Sequence, residues 1–185
     1  MTIDFDPIGY AVDSGRVQAA LGFNRARLNA LVTSNCNYGV GAALPQPVGV
    51  LGGAMVWHVR DLEAALPAIL EARRNIKRNG PRIDREPVTL AALAARRDDH
   101  EGVPHVLGLM DAEMIAEHFG VAPRYPGEWA ERKKLLPPPV GVVGAPSKTT
   151  KAPRQRRVWA VEGVKAHEEQ ILKHLARRRE LAERR

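Results

Sequence analysis

Leu44–Gly53 reads LPQPVGVLGG and Leu136–Ala145 reads LPPPVGVVGA, with seven of the ten positions identical. Neither stretch has a helix or strand period of its own, because proline removes a backbone donor and glycine opens conformations that other residues avoid. The flanking sequence gives the repeat its meaning. After the first copy comes AMVWHV (54–59), which alternates like a half-buried strand. After the second, beyond a gap, comes RVWAV (157–161). Val56-Trp57-His58-Val59 with Leu62 and Ala64 matches Val158-Trp159-Ala160-Val161 with Val164 and Ala166.

Upstream of each copy lie two short helical patterns. SGRVQAALG starts on Ser14, a cap-type residue, and stops on Gly22. Asn24 opens NRARLNALVTS, whose Leu28, Leu31 and Val32 share one helical face. In the other half, MDAEMIAEHFG turns Ile115 and Phe119 inward and stops on Gly120. PGEWAERKKLL follows, with Pro126 allowed in a first turn. Downstream, Asp61 is placed to cap LEAALPAILEARRNIKRN, in which Pro67 should start or bend the helix rather than sit in its middle. The second half closes with one long helix, EGVKAHEEQILKHLARRRELAERR.

The order helix, helix, proline-glycine turn, strand, helix therefore occurs twice, at a spacing that indicates a duplicated domain and not a solenoid. Two short helices around a glycine-marked turn, followed by a β-ribbon, describe a winged helix-turn-helix. The expected fold class is mainly α with small β-ribbons. A first unit spans 1–80, a connector 81–106, and a second unit 107–185. In the connector VTLAALAARRDD reads as a helix capped by Thr89.

Composition narrows the function classes. The chain has 185 residues and 44% apolar content, enough for a packed core. No apolar run approaches the ~20 residues that span a bilayer, so no membrane partner is expected. The acidic MTIDFDPIGY lacks a signal-peptide layout, so a cytoplasmic, nucleoid-associated location is expected. The lone Cys36 excludes an intramolecular disulfide, and its polar loop SNCNYG gives it no activating neighbour. The histidines at 58, 100, 105, 118, 167 and 174 show no ligand spacing. GVLGG precedes a strand and lacks the Lys-Ser/Thr of a phosphate loop. No Ser/His/Asp set or spaced carboxylate pair stands out, so neither an enzyme nor a metal or other cofactor is expected.

The net charge is +7, with 28 Lys and Arg against 21 Asp and Glu. Residues 1–80 carry +2, residues 81–105 carry −1, and residues 106–185 carry +6. Such an excess favours a polyanion.

MIAEHFGV, then LPPPVGVVG, then RVWAVEGVKA resembles the MerR/excisionase-like winged-helix family of actinobacterial and phage regulators. That family pairs an IAE.LGVS helix with a P.PV...G...W...D wing and closing helix. The first half is similar through VQAALGFNRARLNALV, LPQPVGVLGG and VWHVRDLEAAL. The resemblance covers most of both halves and implies double-stranded DNA as the partner. Pro126 and Gly127 depart from the pattern, so a shorter or displaced recognition helix is expected there.

In the first half Asn24, Arg25, Arg27 and Asn29 are the candidate base readers, because arginine can fork onto guanine and asparagine onto adenine. The first wing, LGGAM, is short and uncharged. The second reads APSKTTKAPRQRR, in which Lys148, Lys151, Arg154, Arg156 and Arg157 form a basic finger. Arg124, Tyr125, Arg132 and Lys133 around the second helix complete the DNA-contacting set. Trp57, Trp159 and Trp129 are read as core. The basic last helix is a candidate for phosphate contact or for a second DNA-bound protein, its apolar stripe being too brief for a coiled coil.

These readings converge on a sequence-specific regulator, repressor or excisionase-like architectural factor. Two unequal units in one chain imply an asymmetric site bound by a protein monomeric in solution. The alternatives are a packaging component of small-terminase type or a plasmid-partition component, and an interaction module that has kept the fold and lost DNA.

Overall fold

In each half of the chain a three-residue strand ends in an aspartate that caps the helix after it. The computed structural model describes residues 3–33, 39–74, 88–100, 102–144 and 156–184. It is mainly α-helical with small antiparallel sheets. Contacts divide it into two compact units, the first built on residues up to Arg97 and the second on Asp98–Val142 with the chain from Arg156 onward. The boundary falls inside the stretch read as a connector.

In the first unit β1 (Ala11–Asp13) leads into α1 (Ser14–Leu21), α2 (Arg25–Thr33) and α3 (Val40–Ala43). Then come β2 (Gly49–Leu51), β3 (Ala54–His58), α4 (Val59–Arg74) and α5 (Leu90–Ala94). The sheet order is β1-β3-β2. The second unit begins with a hairpin of β4 (Asp98–His100) and β5 (Val103–His105). It continues with β6 (Leu109–Asp111), α6 (Ala112–Phe119), α7 (Tyr125–Glu128) and a π-helical turn, Trp129–Lys133. β7 (Gly141–Val143), β8 (Arg156–Ala160), α8 (Val161–Ala166) and α9 (Glu168–Glu183) complete it, with sheet order β6-β8-β7.

The two units repeat their hydrogen bonds as well as their element order. Asp13 accepts from the Gly15 and Arg16 amides, and Asp111 from those of Glu113 and Met114. Both carboxylates are buried, so each satisfies helix-end donors that water cannot reach. Gly22 (φ 64°) and Gly120 (φ 63°) end α1 and α6 in the left-handed conformation that glycine adopts most easily. The amide of Val59 donates to the Tyr10 carbonyl, and that of Val161 to the Gly108 carbonyl.

The repeated phrase has a structural purpose. The Trp57 indole donates to the Pro45 carbonyl at 2.8 Å, and the Trp159 indole to the Pro137 carbonyl at 3.1 Å. Val48 donates to Val56 and Val140 to Val158, which begins each ribbon. Proline supplies a carbonyl but no amide, so Pro45 and Pro137 bond the tryptophans without leaving an amide of their own to satisfy. Both indoles are fully buried, as read from their valine neighbours. Trp57 packs with Val12, Val17, Leu21, Leu28, Leu62, Ile69 and Leu93, the last brought in by α5. Each such ring buries roughly 150–250 Å².

Several local expectations are corrected. Asp13, not Ser14, caps α1, and Ser14 is its first residue. β3 is not half-buried: Ala54 through Trp57 are all buried, because β3 is the central strand of its sheet. Asp61 does not cap α4, which starts at Val59; the His58 Nδ1 accepts the Arg60 amide instead. Pro67 sits inside an unbroken α4. It and Glu63, whose carbonyl loses the usual i+4 amide donor, both face solvent, while Leu62, Leu66 and Ile69 hold the opposite face in the core. The connector helix is only α5, capped by Thr89 as expected, and Asp98 and Asp99 belong to a strand. The long final helix breaks at His167, which has φ −106° and bonds the Gly163 carbonyl through Nδ1. Gly163 lies against Pro137, where an added Cβ would come within 3.1 Å of the ring. Cys36 lies outside the described residues.

Candidate nucleic-acid interface

In the first unit the second helix has Leu28 and Val32 in the core and the opposite side open. Ala26 and Ala30 occupy the middle of the open side, and Arg27 and Asn29 flank them at helical spacing. Arg27 lies over the Phe23 ring at 5.2 Å, and Arg73 of α4 lies over the same ring at 5.6 Å. Arg25 is exposed at the start of α2. Asn24 is already engaged: its side-chain oxygen accepts the Arg27 amide at 2.8 Å, so it serves as the cap of α2. The β2–β3 turn of this unit is Gly52-Gly53, with φ 54° and 75°. Positive φ at both positions suits a two-residue hairpin loop whose twist matches its strands.

The second helix of the second unit is built differently. α7 begins with buried Pro126 in its first turn, and the π turn then carries Trp129 into the core. Phe119 meets Trp129 edge-on at 5.7 Å, and the Trp129 indole N–H has no hydrogen-bond partner. The helical stretch 125–133 is as long as α2, so the departure lies in its winding, not its length. Lys134 ends it with φ 54°.

Around it gathers a set of cations. The Arg124 guanidinium lies 5.3 Å and the Arg178 guanidinium 5.2 Å from the Tyr125 ring centroid. Arg178 also donates to the Tyr125 hydroxyl at 3.4 Å. Arg178, and then Arg124, hold the Tyr125 phenol below its ordinary value by favouring the phenolate. Lys133 Nζ lies 3.2 Å from His174 Nε2. An ammonium can only donate, so His174 accepts and its ring is neutral. Burial, then Lys133, Arg178 and Arg177, hold His174 below the ordinary imidazole value. Arg132 is exposed on the π turn.

Of the basic finger, Lys148, Lys151 and Arg154 lie outside the described residues. Arg157 pairs with Glu131 of the π turn, and Arg156 with Glu113 of α6 at 3.6 Å. All four of these side chains are largely exposed, so the pairs contribute little to stability. Arg178 and His174 are the members of the cluster that the sequence did not single out, although it marked the basic last helix as a candidate for phosphate contact. The run Arg177-Arg178-Arg179 was legible as a basic helix end, but nothing in it says which arginine turns onto Tyr125.

Among the described residues no group of three or more His, Cys, Asp or Glu side chains could hold a metal, and no helix is long and apolar enough to cross a membrane. Compared with known proteins, the chain matches no family model, and no curated protein or solved structure matches it significantly.

Proposed function

We propose that this protein binds duplex DNA through two winged helix-turn-helix units, each pairing a capped first helix with an exposed or cation-lined second one. The ribbons β2–β3 and β7–β8 act as the wings. The observation that carries the reading is the doubled arrangement of strand, helix, helix, ribbon and closing helix, with the same tryptophan-to-proline bond at each ribbon. An α-helix of this kind fits the major groove. In the first unit Ala26 and Ala30 let the helix backbone approach closely, while Arg27 and Asn29 reach base edges on either side and Arg25 meets the backbone or an outer base. In this reading the protein is a regulator or architectural factor and not an enzyme.

The packaging or partition alternative needs a seam for oligomers. Leu172 and Leu181 are exposed on α9 but lie roughly half a turn apart around it, on opposite sides, so they do not form one stripe. A monomer with two unequal units requires an asymmetric target. Selection of bound sequences from random duplexes, followed by footprinting and light scattering, tests this. An asymmetric site covered by one chain is expected. A perfect palindrome bound by a two-fold dimer would overturn the reading, as would the absence of duplex binding at low salt.

A further inference from the structure

The last helix of the second unit turns Arg178 and His174 onto the second helix of the same unit, and among the described residues no carboxylate lies within ion-pair distance of Arg178. We infer that Arg124 and Lys133 from the stretch around α7, with His174 and Arg178 from α9, form a seat for the DNA backbone phosphate. This inference rests on the DNA-binding reading above. It makes α9 part of the DNA surface and gives the second unit the backbone, leaving base reading to α2.

Charge balance is the first argument. Arg156, Arg157 and Lys173 each meet a glutamate. Among the described residues no carboxylate lies within ion-pair distance of Arg124, Lys133, Arg177 or Arg178. Gathering like charges without counter-ions raises the energy of the folded chain, and a bound anion relieves it. Geometry is the second argument. Tyr125 holds two guanidinium groups against its ring, at 5.3 and 5.2 Å, and the ring itself is braced by Trp129 at 6.1 Å. A guanidinium carries five N–H donors, so even with one of Arg178's given to the Tyr125 hydroxyl others remain, held in place by the ring before the anion arrives. The third argument is the pair of Lys133 and His174. An ammonium donating to a neutral imidazole leaves the site with spare donors and no acceptor turned outward. Four donors around two helices, with no carboxylate among the described residues in ion-pair distance of Arg124, Lys133 or Arg178, suit an oxyanion that accepts only.

A phosphodiester fits better than an acidic side chain of a protein partner because the seat lies on the helix that the winged-helix reading presents to the groove. Phosphate contacts position a protein without reading sequence.

The experiment uses the full chain and a labelled duplex carrying the selected site, with an unrelated duplex beside it, each titrated across a salt series. Arg178→Gln should make the slope of log K against log[salt] shallower by about 0.9, one phosphate contact. The loss of affinity should be equal on both duplexes, and Arg178→Lys should restore the slope. If Arg178→Gln lowers the melting temperature, Lys133→Gln decides, since Lys133 is exposed and its ammonium bonds the His174 ring. Unchanged slopes in both glutamine variants of a chain that still binds DNA would overturn this seat and leave the DNA reading standing. A loss confined to the selected duplex would overturn the backbone assignment. Failure of the unaltered chain to bind any duplex at low salt would end both.

Discussion

The second helices of the two units are equally long and differ in almost everything else. α2 is a regular helix with alanines at the centre of its open face and Arg27 and Asn29 beside them. Its counterpart carries a buried proline in its first turn, widens into a π turn to bury Trp129, and meets Arg178 and the neutral His174 of α9. The scaffold beneath is the same in both: aspartate cap, left-handed glycine, and a tryptophan bonded to a proline carbonyl. The caps, glycines and tryptophan bonds that close each core recur in both units, while the second helices differ in winding, in what they bury and in what lines them.

The strongest way to break this comparison is at the shared tryptophan. Trp57→Ala and Trp159→Ala should each cost about 3–5 kcal/mol, measured by urea unfolding. Near-equal losses would support energetic equivalence of the two scaffolds, and a gap wider than their errors would sink it. Phenylalanine at the same positions should cost about 1–3 kcal/mol beyond the change in packing, because the Pro45 or Pro137 carbonyl loses its donor. Trp129→Phe should cost less than either, since its indole N–H has no partner to lose.

A smaller effect should separate the two faces. Arg27→Ala or Asn29→Ala should relax sequence preference by roughly 1–3 kcal/mol at the contacted base, read from repeated selection. Arg124→Ala should weaken binding to all duplexes alike. Base-specific effects from Arg124 would erase the proposed division between the units.

The smallest effect is a pH response of the second unit. His174 lies below its ordinary value, held there first by burial and then by Lys133, Arg178 and Arg177. A depressed histidine favours the fold while neutral. That contribution is present above the ordinary imidazole value of about 6.5 and is lost as pH falls from there through the lower folded-state value. The melting temperature of the unaltered chain should therefore fall in mild acid more than that of His174→Gln. Parallel curves for the two proteins would remove His174 from this account.

Much of the scaffold was legible. The repeated phrase, the Val-Trp strands, Gly22 and Gly120, and the inward Ile115 and Phe119 follow from local chemistry that acts within a few residues. The short strands β1 and β6 were not legible, because three residues carry no period and their pairing with β3 and β8 is long-range. Pro67 misled for a related reason: its cost depends on whether the orphaned carbonyl faces water, which is a property of the packed helix. In the candidate interface Arg25, Arg27, Asn29, Arg124, Tyr125, Arg132 and Lys133 could be named from the helical patterns. The capping role of Asn24 and the glutamate partners of Arg156 and Arg157 needed coordinates.

By itself the sequence determined the repeated order of short helices, proline-glycine turn and Val-Trp strand, because glycine stops and proline turns act locally and are spelled in consecutive residues. Only the tertiary structure decided that α9 breaks at His167 and turns His174 and Arg178 onto Lys133 and Tyr125. Those contacts join side chains far apart in the chain, and no local period encodes which face of a basic helix will meet another helix.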